Sequence, residues 1–314
     1  MRAAFLQALL EEARRDARII LVDPDSIGFH CEAHRRELPD QYLNMGIAEQ
    51  NAVGVSAGLA LTGQRPFLFN ILAFNSFRCF EQVRLDVCAM HLSVVLVGIG
   101  ACIDYGMFGP SHHTMEDVAL MRSLPGMTVW SPADEVVAAA LVRHCVQAGG
   151  PAYLRLHRAD KHLVYRIGAP PELNEGLAVL RPGRDLLIAA TGPMVRRAEE
   201  VAEALSARSV DAGVVDVFRL KPFPEQRFVD LAKSFSRIAT LEEHFISGGL
   251  GSAVLEAMAD YGLPGNVRRF GLPDRFCRVC GDRDYLHREC GLDAATLVAQ
   301  FGGWLRTPRG FGVS

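Results

Sequence analysis

Among the 314 residues, the side chains best suited to chemistry fall in a few short stretches. Glu49 sits in MGIAEQN, which opens a predicted helix and places an acid in its first turn. An acid there is favoured by the helix dipole alone. The small residues Gly46, Ala48, Gly54, Ala57 and Gly58 would also let another element approach it closely. His112 and His113 follow Gly109, Pro110 and Ser111 on a predicted loop between a strand and a helix. In open α/β sheets that end of a strand is where ligands bind, although a pair of imidazoles there also suits a surface or a helix cap. Phe67, Phe69, Phe74, Phe77 and Phe80 suit either a core or a stacking platform. Gly248, Gly249 and Gly251 in ISGGLGS precede a helix and could cradle phosphate, but the GxGxxG order and the acid that should follow it are missing. Cys277, Cys280, His287 and Cys290 are spaced C-x2-C-x6-H-x2-C, which fits either a tetrahedral zinc site or a loop with free thiols. None of these features alone specifies a reaction.

The elements that position them alternate along the chain. Short Val, Ile and Leu-rich runs at 17–23, 67–74, 93–99, 127–130 and 152–156 read as buried strands. Between them, 48–61, 77–91, 115–123 and 133–148 read as helices. The period breaks at 166–176, RIGAPPELNEG, with two prolines and two glycines. Strands are then expected at 185–191, 212–217, 237–241 and 266–270, and helices at 194–207, 225–234, 250–261 and 293–305. The pattern predicts an α/β fold of two domains, each a largely parallel sheet flanked by helices. The expected domains span 1–165 and 177–314, with 166–176 as the linker.

Composition narrows the partners. Hydrophobic residues make up 49% and charged residues 22%, the mix of a folded soluble protein. The net charge is −3 with no long block of like charge, so neither nucleic acid nor a membrane surface is expected as a partner. The near-apolar run from Ser93 to Ile103 is too short to span a bilayer. The N-terminal stretch reads as an amphipathic helix without a cleavage-site pattern, and eight cysteines, mostly in apolar segments, fit a reducing compartment. A cytoplasmic location is expected.

Three strings carry a resemblance: YLNMGIAEQNAVGVSAGLA, FGPSHHTMEDVALMRSLPGMTVWSPADE and ATLEEHFISGGLGSAVLEAM. In this order, and across nearly the whole chain, they resemble the C-terminal half of the transketolase family, its pyrimidine-binding and C-terminal domains. Members of that kind hold thiamine diphosphate and its Mg2+ partly through a GDG motif in a separate domain, and no GDG occurs here. The resemblance therefore implies one subunit of a split enzyme, completed by an N-terminal subunit with the diphosphate-binding domain in an α2β2 assembly. The Mg2+ ligands are expected mainly on that partner.

The resemblance also implies roles. Glu49 matches the glutamate that bonds N1′ of the aminopyrimidine, where a dry interface would let it share a proton. Phe74 matches the ring stacked on the pyrimidine, Phe77 lies beside it, and Ile71 stands where a further aromatic is usual. His112 matches the histidine facing the substrate carbonyl, and His113 stands where Gln is common. Arg158 falls at a phosphate-binding arginine, a fork suited to oxyanions. Asp25 and Ser26 fall in a loop reaching the cofactor and substrate entrance. Two departures bear on the substrate: Phe108 replaces an aspartate that contacts a sugar hydroxyl, expected to be a buried exchange, and Gly100 replaces a phosphate-contacting histidine. The implied activity is transfer of a two-carbon ketol or acyl unit from a ketose-type donor to an aldehyde, with a sugar or sugar-phosphate-like substrate. Alternatives are a deoxyxylulose phosphate synthase-like or 2-oxo acid dehydrogenase beta-like subunit, or a noncatalytic scaffold.

Overall fold

The computed structural model describes residues 1–25, 30–158, 162–263 and 265–306. The first half contributes β1 (Ile19–Asp23), β2 (Tyr42–Asn44), β3 (Arg65–Ile71), β4 (Val95–Ile99), β5 (Thr128–Trp130) and β6 (Ala152–Leu156). Its helices are α1 (Arg2–Ala13), α2 (Glu32–Glu37), α3 (Glu49–Leu61), α4 (Phe80–Gln82), α5 (Asp117–Ser123) and α6 (Glu135–Ala148). The second half contributes β7 (Leu177–Arg181), β8 (Leu186–Ala190), β9 (Ala212–Val217), β10 (Arg219–Lys221), β11 (Arg237–Phe245) and β12 (Asn266–Leu272). Its helices are α7 (Met194–Ser206), α8 (Glu225–Ala232), α9 (Leu250–Asp260), α10 (Arg283–Cys290) and α11 (Ala294–Arg306).

Two sheets result, a seven-stranded one in the order β10-β5-β6-β4-β3-β1-β2 and a five-stranded one in the order β12-β11-β8-β9-β7. Every pairing is parallel except β10 with β5 and β7 with β9. All residues of β1, β4, β6 and β8 are buried, as strands covered by helices on both faces must be. This is why they appear in the sequence as unbroken apolar runs. The strands not anticipated, β2, β7 and β10, are short or lie at sheet edges, and only one residue of β7 is fully buried. The chain leaves the second sheet at the end of β9 and adds β10 at once to the first, with Ser131 N–H donating to Phe218 O.

The expected helix over 77–91 is instead α4 between two π-helical turns, Phe74–Arg78 and Val83–Cys88. The wide first turn lets Asn75 point inward, donating to the carbonyls of Leu68 and Val97 at 3.1 and 3.0 Å. The chain crosses β4 there at close range: a Cβ on Gly98 would lie 2.6 Å from Leu72 Cγ. Asp134, the N-cap of α6, accepts from the N–H groups of Val136 and Val137. Among the described residues, no helix is long and apolar enough to cross a membrane.

Candidate active site

The parallel strands of the first sheet end along one edge, and the segments leaving those ends carry most of the predicted residues. Asp25 follows β1, the turn into α3 follows β2, Phe74 follows β3, Gly100 and His112 follow β4, and Arg158 follows β6. That is the edge where an open α/β sheet offers its ligand crevice.

Glu49 begins α3 with its side chain only 4% exposed, and its Oε1 accepts from Arg78 Nη1 at 2.7 Å. The Arg78 guanidinium also lies over the Phe74 ring, 4.1 Å from its centroid. A planar cation with hydrogen-bond donors thus fills the slot between a buried carboxylate and an aromatic face. His112 meets Phe74 edge-on at 5.3 Å and lies 4.9 Å from the Phe108 ring and 5.7 Å from Tyr105. Burial, followed by the charge of Arg78, lowers the His112 pKa and favours neutral imidazole. Ser111 Oγ, 2.9 Å away, engages Nδ1 and leaves Nε2 for a ligand. His113 is buried, and neither ring nitrogen has a hydrogen-bond partner among the described residues.

The mouth is apolar, with Ile47, Met107 and Phe108 all exposed. Phe108 is 60% exposed in this chain, which corrects the expectation of a buried exchange. It packs on His112 at the rim instead of lining an interior wall. The aromatic group divides by residue: Phe67 and Phe69 are core beside Phe5, whereas Phe74 stands at the mouth. Phe77 is half-buried against the same core as Ile71, which is buried at the end of β3. Asp25 is exposed at φ 64 and accepts from Asn44 Nδ2 at 2.9 Å, on the same edge as the turn into α3. Ser26 lies outside the described residues.

Beside this mouth, a cavity of about 320 Å³ is lined by Arg2, Asp104, Arg158 and Arg283. The Arg158 guanidinium lies 4.4 Å from the Tyr105 ring centroid. Burial lowers the Arg2 pKa, and the neighbouring Arg158 lowers it further while Tyr105 opposes. Burial and the same two arginines lower that of His30. Such crowding of cations favours an anion. A Cβ on Gly100 would lie 1.9 Å from Tyr105 Cε2, so the tyrosine ring uses the space that a side chain there would need. Arg2 and Arg78 escaped the sequence reading because Arg2 looks like an ordinary first-turn charge and Arg78 acquires its position only from the π-helical turn.

Other motifs take structural roles. The ISGGLGS loop is filled by the chain's own carboxylate: Glu242 accepts from the N–H groups of Leu250 and Gly251 at 2.7 and 2.8 Å. A Cβ on Gly249 would come within 1.9 Å of that carboxylate. The four residues with zinc-like spacing do not close a site: Cys277 and Cys290 lie together, but His287 Nε2 engages Glu243 Oε1 at 3.0 Å and Cys280 is exposed. Among the described residues, no group of three or more His, Cys, Asp or Glu side chains is arranged to hold a metal.

Comparison with known proteins identifies the family. Residues 1–161 match the family model for the transketolase pyrimidine-binding domain, and 176–297 match that for the transketolase C-terminal domain. The chain is 36% identical, over 95% of its length and 92% of the relative's, to a 6-deoxy-6-sulfo-D-fructose transketolase subunit of Clostridium sp. (strain MSTE9). It is 34% identical, over 93% of each chain, to one subunit of an apulose-4-phosphate transketolase of Phocaeicola vulgatus. A solved structure of a split-gene transketolase, described as an inactive β4 tetramer, superposes with a TM-score of 0.86 at 35% identity, covering 96% of both chains. A transketolase from Pichia stipitis shares the fold at TM-score 0.77 and 17% identity, covering 96% of this chain and 45% of that one.

Proposed function

This chain belongs to the transketolase family, and from that premise we propose that it is the pyrimidine-domain subunit of a split, thiamine diphosphate-dependent transketolase. It would work with an N-terminal subunit carrying the diphosphate-binding domain, in an α2β2 assembly, and transfer a two-carbon ketol unit to an aldehyde. The observation that carries the reading is the slot between Glu49 and Phe74, where the Arg78 guanidinium already occupies a place suited to a planar, hydrogen-bonding ring. The aminopyrimidine of thiamine diphosphate has those properties. The apolar rim of Ile47, Met107 and Phe108 suits burial under a partner subunit.

The cofactor, when bound, supplies the carbanion chemistry. Glu49 would hold the proton at N1′ of the aminopyrimidine, and Phe74 would stack on that ring once Arg78 turns away. His112, kept neutral by burial, would donate from Nε2 to the oxygen that develops charge on the substrate, in the tautomer whose Nδ1 accepts from the Ser111 hydroxyl. Arg158, with Arg2 beside it, would take an anionic substrate end. Mg2+ would be held mainly by the partner. Asp25 is proposed to contact the cofactor, Ser26 and His113 to contact the substrate, and the domains to meet across 166–176. The exposed Phe108 and the side-chain-free Gly100 favour a donor or acceptor less hydroxylated, or differently charged, than ordinary pentose and hexose phosphates. Equal turnover of xylulose 5-phosphate by the wild type and Phe108→Asp would refute that preference.

The deciding experiment measures thiamine diphosphate and Mg2+ binding by calorimetry, for this chain alone and with the diphosphate-domain subunit. Tight binding only in the mixture, with turnover that Glu49→Gln removes, is the expected outcome. Release of CO2 from a 2-oxo acid donor would favour a deoxyxylulose phosphate synthase-like or dehydrogenase-like subunit. Cofactor affinity of the partner left unchanged by this chain would make it a scaffold.

A further inference from the structure

The loop carrying Tyr105 and Phe108 is clamped by the C-terminal half of the molecule. Gly281 N–H donates to Gly106 O at 3.3 Å, and a Cβ on Gly106 would lie 2.3 Å from Gly281 O. From the next turn, Arg283 meets two buried carboxylates: its Nε and Nη2 donate to Glu243 Oε1 and Oε2, and the same Nε lies 3.4 Å from Asp104 Oδ1 as an ion pair. Asp104 Oδ2 accepts the backbone N–H of Arg158 at 2.8 Å and lies 3.2 Å from His157 Nδ1. A chain of polar contacts therefore runs from α10, through Asp104, to the backbone N–H of the arginine beside the mouth. Burial alone would raise the pKa of both acids. Arg283, with His157 and His287, outweighs it and keeps both ionised.

We propose that Arg283 is a positioning and specificity residue: it fixes Arg158 through Asp104 and adds a third guanidinium, with Arg2 and Arg158, to a pocket for a tetrahedral oxyanion on the substrate. The Tyr105 ring carries Arg158 and excludes a side chain at Gly100, so the pocket's positive charge comes from arginines on three separate segments. Arginine stays charged throughout the physiological range, so the pocket suits a sulfonate or a phosphoryl group alike. In its catalytic part the inference rests on the split-transketolase reading. It also gives the C-terminal half a direct role in choosing substrate.

The test uses Arg283→Gln and Arg283→Lys in the complex reconstituted with the diphosphate-domain subunit, and in the chain alone. In the complex, Arg283→Gln should raise KM for an oxyanion-tailed ketose by about tenfold, the loss expected for a charged hydrogen-bonding partner. The kcat, and the KM for a ketose without an anionic tail, should stay within about twofold of wild type. Arg283→Lys should fall between, because an ammonium bridges the two acids without the fork. In the chain alone, calorimetry with inorganic phosphate and with sulfate should show binding weakened about tenfold by Arg283→Gln, and the preferred anion separates phosphoryl from sulfonate. Equal KM changes for charged and neutral donors, or unchanged phosphate and sulfate binding, would overturn the proposal. If Arg283→Gln fails to fold, wild-type behaviour of Arg283→Lys in both assays does so. Absence of turnover by the wild-type complex would overturn the enzymatic reading, while anion binding by the chain would still decide Arg283.

Discussion

Glu49 and Glu243 are both buried glutamates paired with arginine, yet they belong to different kinds of site. Glu49 has the half-exposed Arg78 as its ion-pair partner, at a mouth rimmed by exposed Ile47, Met107 and Phe108. Glu243 is enclosed between Arg283, His287 and His157 in the seam between the two halves. A buried charge is tolerated only when paired and hydrogen-bonded. The chain surrounds Glu243 with three basic side chains at the seam and gives Glu49 one at the mouth. Buried nitrogens without a hydrogen-bond partner among the described residues occur in both: His157 Nδ1 and His287 Nδ1 at the seam, both ring nitrogens of His113 at the mouth. The contrast separates what this chain builds alone from what a cofactor and a partner would finish.

The sharpest way to break the contrast is Glu49→Gln. If the mouth is the proton-handling site, the variant in the partner complex should lose about 10²- to 10⁴-fold in kcat, the range for removing a general acid or base. The unfolding midpoint of the chain alone should change far less than kcat does. A variant with near wild-type turnover would reduce Glu49 to a favourable charge at a helix N-terminus and erase the difference between the two regions.

The seam should respond to pH in a defined direction. Burial, helped by Arg155 and opposed by Asp117, lowers the pKa of His244 to about 4. Its Nδ1 lies 2.7 Å from Phe245 O, and its Nε2 accepts from Ala119 N–H at 3.4 Å. Because the folded value lies below the unfolded one, stability is full above about pH 6.5 and is lost as pH falls through the window toward about 4. The loss is on the order of 3 kcal/mol for a shift of that size. Glu242, 3.9 Å from His244 Nδ1 and raised by burial to about 7, opposes this over the same window, since its protonated form favours the folded state as pH falls. The difference in slope of urea stability against pH between the wild type and His244→Gln therefore isolates the imidazole, and the wild type should lose more stability than the variant as pH falls from about 6.5 toward 4. Equal slopes would mean that the imidazole is solvated in solution.

Glycine substitutions compare the two regions through packing. Gly106→Ala forces a Cβ against Gly281 O and Leu286 Cδ1, at 2.3 and 2.5 Å, and should cost about 1–3 kcal/mol. It should also weaken oxyanion binding, because the clamped loop carries Tyr105. Gly46→Ala at the mouth meets nothing within 4 Å and costs only its left-handed backbone at φ +62, about 1 kcal/mol. Thermal midpoints of the two variants check the order, and a larger loss for Gly46→Ala would reverse the assignment of rigid and open regions.

These tests fall on residues of unequal legibility. The strands β1, β4, β6 and β8 were readable because burial on both faces forces unbroken apolar runs. The edge strands β7 and β10 escaped because one is mostly half-exposed and the other has three residues that pair antiparallel with a distant segment. Glu49 and His112 stood out from their positions at a helix start and after a strand. Their roles came from the resemblance, since spacing alone left an acid on a dipole and a pair of imidazoles. The Asp104, His157, Glu243 and Arg283 cluster had no local signature, for its members come from both halves and meet only after the sheets form. Glu242 shows the opposite failure, a glycine-rich loop that resembled a phosphate cradle until its own carboxylate was found inside.

The smallest expected effect is the most specific to the mouth. Arg78→Gln in the chain alone leaves the Glu49 carboxylate buried without its cation and removes a guanidinium from the face of Phe74. The ion pair is half-exposed on the arginine side, so the loss should be near ~1 kcal/mol. In the complex loaded with thiamine diphosphate, Glu49 and Phe74 would have the aminopyrimidine as a partner, and the same substitution should cost less. The difference between the two thermal shifts therefore measures whether Arg78 only holds the slot until a cofactor arrives. A permanent structural ion pair would cost the same in both states, and the mouth would then be as finished as the seam.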